Sequence, residues 1–128
     1  MLGGSRVSQH WDLAADKNIA KKAIREAEVD VLTVSPHLKL PDEGIDKFTE
    51  LLLEHNPKGR VYVQASWYPW DLAEKNPLTF KNEERDSIKV AALFENYKPF
   101  YEALTKQVNS LNEQLKDKQK RQVVFLVP

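Results

Sequence analysis

Three stretches rich in β-branched and aromatic residues alternate along the chain with stretches whose apolar residues recur at helical spacing. They are VDVLTVS at Val29–Ser35, RVYVQASW at Arg60–Trp67 and VVFLV at Val123–Val127. No other feature constrains the fold as tightly. Strands joined through helices need crossovers, and crossovers set neighbouring strands parallel. The strand-like runs are almost continuously apolar, the pattern of strands covered on both faces. The expectation is a three-layer α/β/α domain around a parallel sheet.

The intervening segments fit that expectation. DKNIAKKAIREAE offers Asp16 as a cap and places Ile19, Ala20, Ala23, Ile24 and Ala27 on one helical face. DEGIDKFTELLLEHNP carries acids in its first turn, where the helix dipole favours them, and stops at Pro57. A third helix bears Val90, Phe94, Tyr97, Tyr101, Leu104, Val108, Leu111 and Leu115 at alternating spacings of four and three, a heptad stripe. Packing of this stripe on the sheet is the expected arrangement, with a homodimer through the 90–115 helix as the alternative. Pro99 removes one backbone donor and is expected to bend this helix. The opening MLGGSRVSQHWDLAAD reads as loop, YPWDLAEKNPLTFKNEERD as a long connection, and KDKQKRQ as a solvated turn.

Composition narrows the class of function. The 128 residues suit a single domain, and 41% hydrophobic with 30% charged residues is the make-up of a folded one. Nineteen basic residues balance nineteen acidic ones, so no long-range attraction draws the chain to nucleic acid or to an anionic membrane. No apolar run reaches the roughly 20 residues that span a bilayer, and the N-terminal residues lack a signal-peptide pattern. Without cysteine there is neither a disulfide nor a thiol nucleophile, and the compartment stays open. The three histidines are scattered, and no H-E-x-x-H, P-loop or G-x-G-x-x-G occurs, so neither a metal nor a cofactor is expected.

Parallel sheets place their chemistry at the carboxyl ends of the strands. Ser35 and His37 follow the first strand. Gln64, Trp67 and Tyr68 lie at the end of the second, with Trp70 close behind. His37 serves either as a polar group facing a cleft or as a loop histidine bonded to a carbonyl. Gln64, expected as a buried amide, either orients a ligand or ties down a loop. The aromatics wall a pocket or fill core, and His10 beside Trp11 carries the same ambiguity. Ser5 as a nucleophile would need a preceding strand and a histidine held by a carboxylate.

Taken together, MLGGSRVSQHWDL, EVDVLTVSPHLKLPDEGIDKF, LLEHNPKGRVYVQASWYPWD and QVVFLVP resemble the middle of a bacterial group of SGNH/GDSL-type hydrolases. The resemblance implies a flavodoxin-like, SGNH-type sheet between helices. It also implies ester hydrolysis by a serine, with a small-molecule or carbohydrate-linked ester as substrate. Gly4 is similar to the family's oxyanion-hole glycine, with Gly3 as the other candidate. The family's oxyanion asparagine has no counterpart in SPHLKLP, so Ser35 or His37 would stand in for it. His10, Gln64, Trp67 and Tyr68 are the substrate-binding candidates. The family's nucleophile block and its Asp-x-x-His block are absent from these 128 residues. The expectation is therefore a partial domain, incomplete at both ends and inactive alone. The alternative is a non-catalytic α/β module that binds a ligand or protein through the aromatic loop and the long helix.

Overall fold

The computed structural model describes residues 5–37, 39–65 and 87–128. Its elements run α1 (Val7–Trp11), α2 (Ile19–Arg25), β1 (Val31–Val34), α3 (Glu43–His55), β2 (Arg60–Gln64), α4 (Ser87–Gln119) and β3 (Val124–Val127). The strands form a three-stranded parallel sheet in the order β1-β2-β3. The alternation of strand and helix thus gives the crossovers and the parallel pairing that the sequence implies.

Register assigns each strand residue to a face. Val34 aligns with Val63, Leu32 with Val61, and Val61 and Val63 with Val124 and Leu126. This face is covered: Val61, Val63 and Val124 are fully buried, beneath Ile45, Phe48 and Leu52 of α3 and Leu104, Val108 and Leu111 of α4. Each such side chain contributes about 1.5–3 kcal/mol of burial. The opposite face carries Val31, Thr33, Tyr62, Gln64 and Phe125. Val31 is 53% exposed, and Tyr62 and Phe125 stack on each other at 5.2 Å without being buried. Among the described residues the sheet is covered on one face, where the apolar runs led us to expect two.

Several local expectations are corrected. The opening loop contains α1, a helix of five residues that would not persist alone. Asn18, not Asp16, caps α2, accepting from Lys21 N–H at 3.0 Å. That helix is shorter than its pattern, because Ala27 turns to φ 56° and a Schellman pair closes it, Ala27 N–H to Ile24 O and Glu28 N–H to Ala23 O. Only Ile24 of its apolar face is buried, and Ile19 is 79% exposed.

The long helix α4 continues through Pro99 and ends at Gln119, after which Lys120 takes φ 52°. Leu104, Val108 and Leu111 of the stripe are spent on the chain's own core, while Phe94 and Tyr101 remain exposed. The side chain of Val90 lies outside the described residues. The following turn is more than a solvated link. Arg121 donates to the Pro57 and Gly59 carbonyls at 2.8 and 2.7 Å, tying the two turns at the amino edge of the sheet. Asn112 accepts from Val124 N–H and donates to its carbonyl, so a side-chain amide fixes the start of β3.

Candidate functional site

The carboxyl edge of the sheet follows from the register. Val34 and Val63 are the last residues paired between β1 and β2; Ser35 follows the end of β1, and Gln64 is the last residue of β2. Ser35 and Gln64 are exposed, and Pro36 between Ser35 and the exposed His37 is buried. Gln64 is therefore no buried amide; it lies on the face that no described element covers.

A single carboxylate organises the loop that leaves β1. Asp42 is fully buried and caps α3 by accepting from Gly44 N–H at 3.0 Å. It also accepts from Val7 N–H at 2.8 Å and Ser8 N–H at 2.9 Å, the unpaired first-turn donors of α1. One negative charge thus sits at the positive ends of two helices. The close approach requires glycine at position 44, since a Cβ there would overlap the backbone of Val7 and Ser8. Arg6 adds a weaker contact, its Nε 4.0 Å from Asp42 Oδ2 and its guanidinium donating to the Pro41 carbonyl at 3.2 Å. Because α3 follows β1 through the loop 35–42, this arrangement brings the N-terminus of α1 against the start of α3, on the side of the sheet where β1 ends.

Ser5 and His10 meet there. Ser5 Oγ and His10 Nε2 are 2.6 Å apart, with both residues half-buried. His10 is held in turn: Asn18, 3% exposed, donates to the His10 carbonyl at 2.8 Å and to that of Trp11 at 3.3 Å. Trp11 packs edge-on against Phe48 at 5.1 Å and receives the Lys21 ammonium on its face at 3.9 Å. It is a packing residue of α1, locked to α3.

The third component lies between α3 and α4. Gln107 accepts from Asp42 N–H at 3.0 Å, donates to the Asp42 carbonyl at 2.9 Å and approaches the Asp46 carboxylate at 3.4 Å. Burial pushes the Asp46 carboxyl above its ordinary range, and the Gln107 amide partly offsets this. Asp46 and Gln107 line a shallow groove of about 380 Å³ with Leu40, Pro41, Lys106 and Ser110.

Of the residues singled out in the sequence, the structure pairs His10 with Ser5; Gln64 ends β2, and Ser35 and His37 follow β1. Gly3, Gly4, Trp67, Tyr68 and Trp70 lie outside the described residues. Asp42 and Gln107 were not singled out. The sequence signal for Asp42 was its acidic place at a helix start, but its second role as cap of α1 has no local signature. Among the described residues no cluster of three metal-ligating side chains occurs, and no helix is long and apolar enough to cross a membrane. No family model, curated protein or solved structure matches the chain.

Proposed function

We propose that this chain forms part of an SGNH-type ester hydrolase, and that its sheet is the middle layer of a three-layer, flavodoxin-like domain. The observation that carries the reading is the half-covered parallel sheet. Parallel sheets are ordinarily buried on both faces, and here the second face presents Tyr62, Phe125 and Val31 with no described layer over them. A second helical layer would bury this face and complete the fold. The four sequence stretches that resemble the family support the same assignment.

In this reading the chain supplies the carboxyl-edge framework. Gly4 is the candidate oxyanion donor, with Gly3 as alternative, and Ser35 or His37 is the second donor. Gln64, His10, Trp67 and Tyr68 contact the ester, while the nucleophilic serine and its activating histidine come from sequence outside these 128 residues. Oxyanion donors matter because they act on charge that develops only in the transition state. Fold alone would not assign this chemistry; the sequence resemblance does that.

The test is hydrolysis of p-nitrophenyl acetate by the 128-residue chain and by the protein from the reading frame extended at both ends. Turnover by the extended protein alone, unaffected by Ser5→Ala, supports the proposal. Ser5-dependent turnover by the short chain contradicts the placement of the nucleophile. A second reading, a non-catalytic binding module, is favoured by the exposed Phe94 and Tyr101 on α4. It predicts no ester turnover by either protein.

A further inference from the structure

We infer that Asn112 guards the outer edge of β3: its amide occupies the backbone groups through which a strand from a second copy of this chain would join the sheet. This inference is independent of the esterase reading.

The direction of the β3 backbone groups follows from its pairing with β2. Val61 N–H donates to the Val123 carbonyl at 3.0 Å, and Ala65 N–H to the Val127 carbonyl at 2.8 Å. Residues 123 and 127 therefore turn toward β2, and alternation turns the N–H and carbonyl of Val124 to the opposite side. Among the described residues no strand lies there, since β3 ends the order β1-β2-β3. A strand edge of this kind is a template for pairing with another chain.

Asn112 fills the first position of that template. Its Oδ1 accepts from Val124 N–H at 2.9 Å, and its Nδ2 donates to the Val124 carbonyl at 2.7 Å. One residue thus exchanges both bonds with Val124, as the opposite residue of an antiparallel strand would. Gln122 Nε2 takes the second lone pair of that carbonyl at 3.1 Å, and Asn112 Oδ1 also accepts from Val123 N–H at 3.2 Å. The hydrogen-bonding capacity of the Val124 backbone is therefore filled.

The guard is well seated. Asn112 follows Leu111 on α4, which is 2% exposed, and it grips a strand residue that is itself fully buried. An incoming strand would have to break these bonds before forming its own, and such an exchange returns almost nothing. Only Val124 and Leu126 of the short strand Val124–Val127 turn outward, so closing Val124 leaves a single position for pairing.

The experiment compares the 128-residue parent with Asn112→Leu, which keeps the volume without the polar groups, and with Asn112→Asp. Leu104→Ala serves as a variant weakened in the core with the guard intact. Sedimentation gives self-association, and amide hydrogen exchange at Val124 is followed from dilute to concentrated solution. Asn112→Leu should associate about tenfold more tightly than the parent. Its Val124 exchange should be faster than the parent's when dilute and slow again as concentration rises. Asn112→Asp keeps an acceptor for Val124 N–H and puts a charge at the edge, so it should associate no more than the parent. Where Asn112→Leu does not fold, Asn112→Ser, too short to hold both groups, takes its place with the same expectations.

Exchange at Val124 that is faster in Asn112→Leu but independent of concentration overturns the guard and leaves Asn112 a cap of β3. Equal association by Leu104→Ala overturns it too, since loss of stability would then suffice. A parent whose own Val124 exchange slows with concentration also contradicts it, because the edge would be open with Asn112 in place.

Discussion

Asp42 and Gln107, 65 positions apart in sequence, exchange two hydrogen bonds across the seam between α3 and α4. The Asp42 N–H donates to Gln107 Oε1 at 3.0 Å, and Gln107 Nε2 donates to the Asp42 carbonyl at 2.9 Å. While its backbone is occupied in this way, the Asp42 carboxylate holds α1 and caps α3. Three helices therefore converge on one buried residue on the side of the sheet where β1 ends.

Replacing Asp42 should be among the costliest changes in the domain. Asp42→Ala leaves three backbone N–H groups without their acceptor, and we expect a loss of about 3 kcal/mol in urea unfolding. Asp42→Asn can keep Oδ1 toward Ser8 and Gly44 but sets an amide donor against Val7 N–H. It should lose about half as much. A loss below about 0.5 kcal/mol for Asp42→Ala would mean that α1 is held by other contacts.

Asp46 provides a pH test with a defined sign. Its carboxyl is raised by burial, so the folded state holds this proton more tightly than the unfolded chain. Stability linked to the group is therefore full below the ordinary aspartate range and declines as pH rises through the raised value. Asp46→Asn removes that decline. Relative to the parent, the variant should be more stable at pH 7 than at pH 4. Equal differences at the two pH values would contradict the assignment.

The stripe on α4 separates into a buried part and an exposed part. Leu104→Ala should cost about 2–5 kcal/mol, because the side chain is fully buried in the core. Phe94, 57% exposed, should tolerate alanine within about 0.5 kcal/mol. If the whole stripe were a dimer seam, both changes would raise the dimer dissociation constant in analytical ultracentrifugation. The intrachain packing predicts no shared effect.

These positions also show what the sequence could and could not reveal. Val61, Val63 and Val124 were legible as strand core because β-branched runs separated by helical periodicity leave few alternatives. The partition of α4 was not legible: Phe94 and Val108 occupy equivalent heptad positions, one exposed and one buried, and only the core packed around Val108 distinguishes them. Ser5 and His10 lie five residues apart in a segment with no helical pattern. Their meeting depends on α1, and α1 depends on an aspartate more than 30 residues away. Tertiary capping of this kind leaves no local mark.

Phe125 tests the proposed third layer. In the 128-residue chain it stacks on Tyr62 at a face that no described element covers, so Phe125→Ala should cost about 1 kcal/mol. If a helical layer packs there in the extended protein, the same change should cost about 3 kcal/mol or more. Equal costs in the two proteins would remove the support that this face gives to a three-layer fold.

The most direct test of the hydrolase reading is covalent trapping with a fluorophosphonate, followed by peptide mapping. The extended protein is predicted to take one label, on a serine outside these 128 residues, and to lose ester turnover as the label accumulates. The 128-residue chain is predicted to remain unlabelled. A label on Ser5, or an extended protein that takes none, would contradict the account.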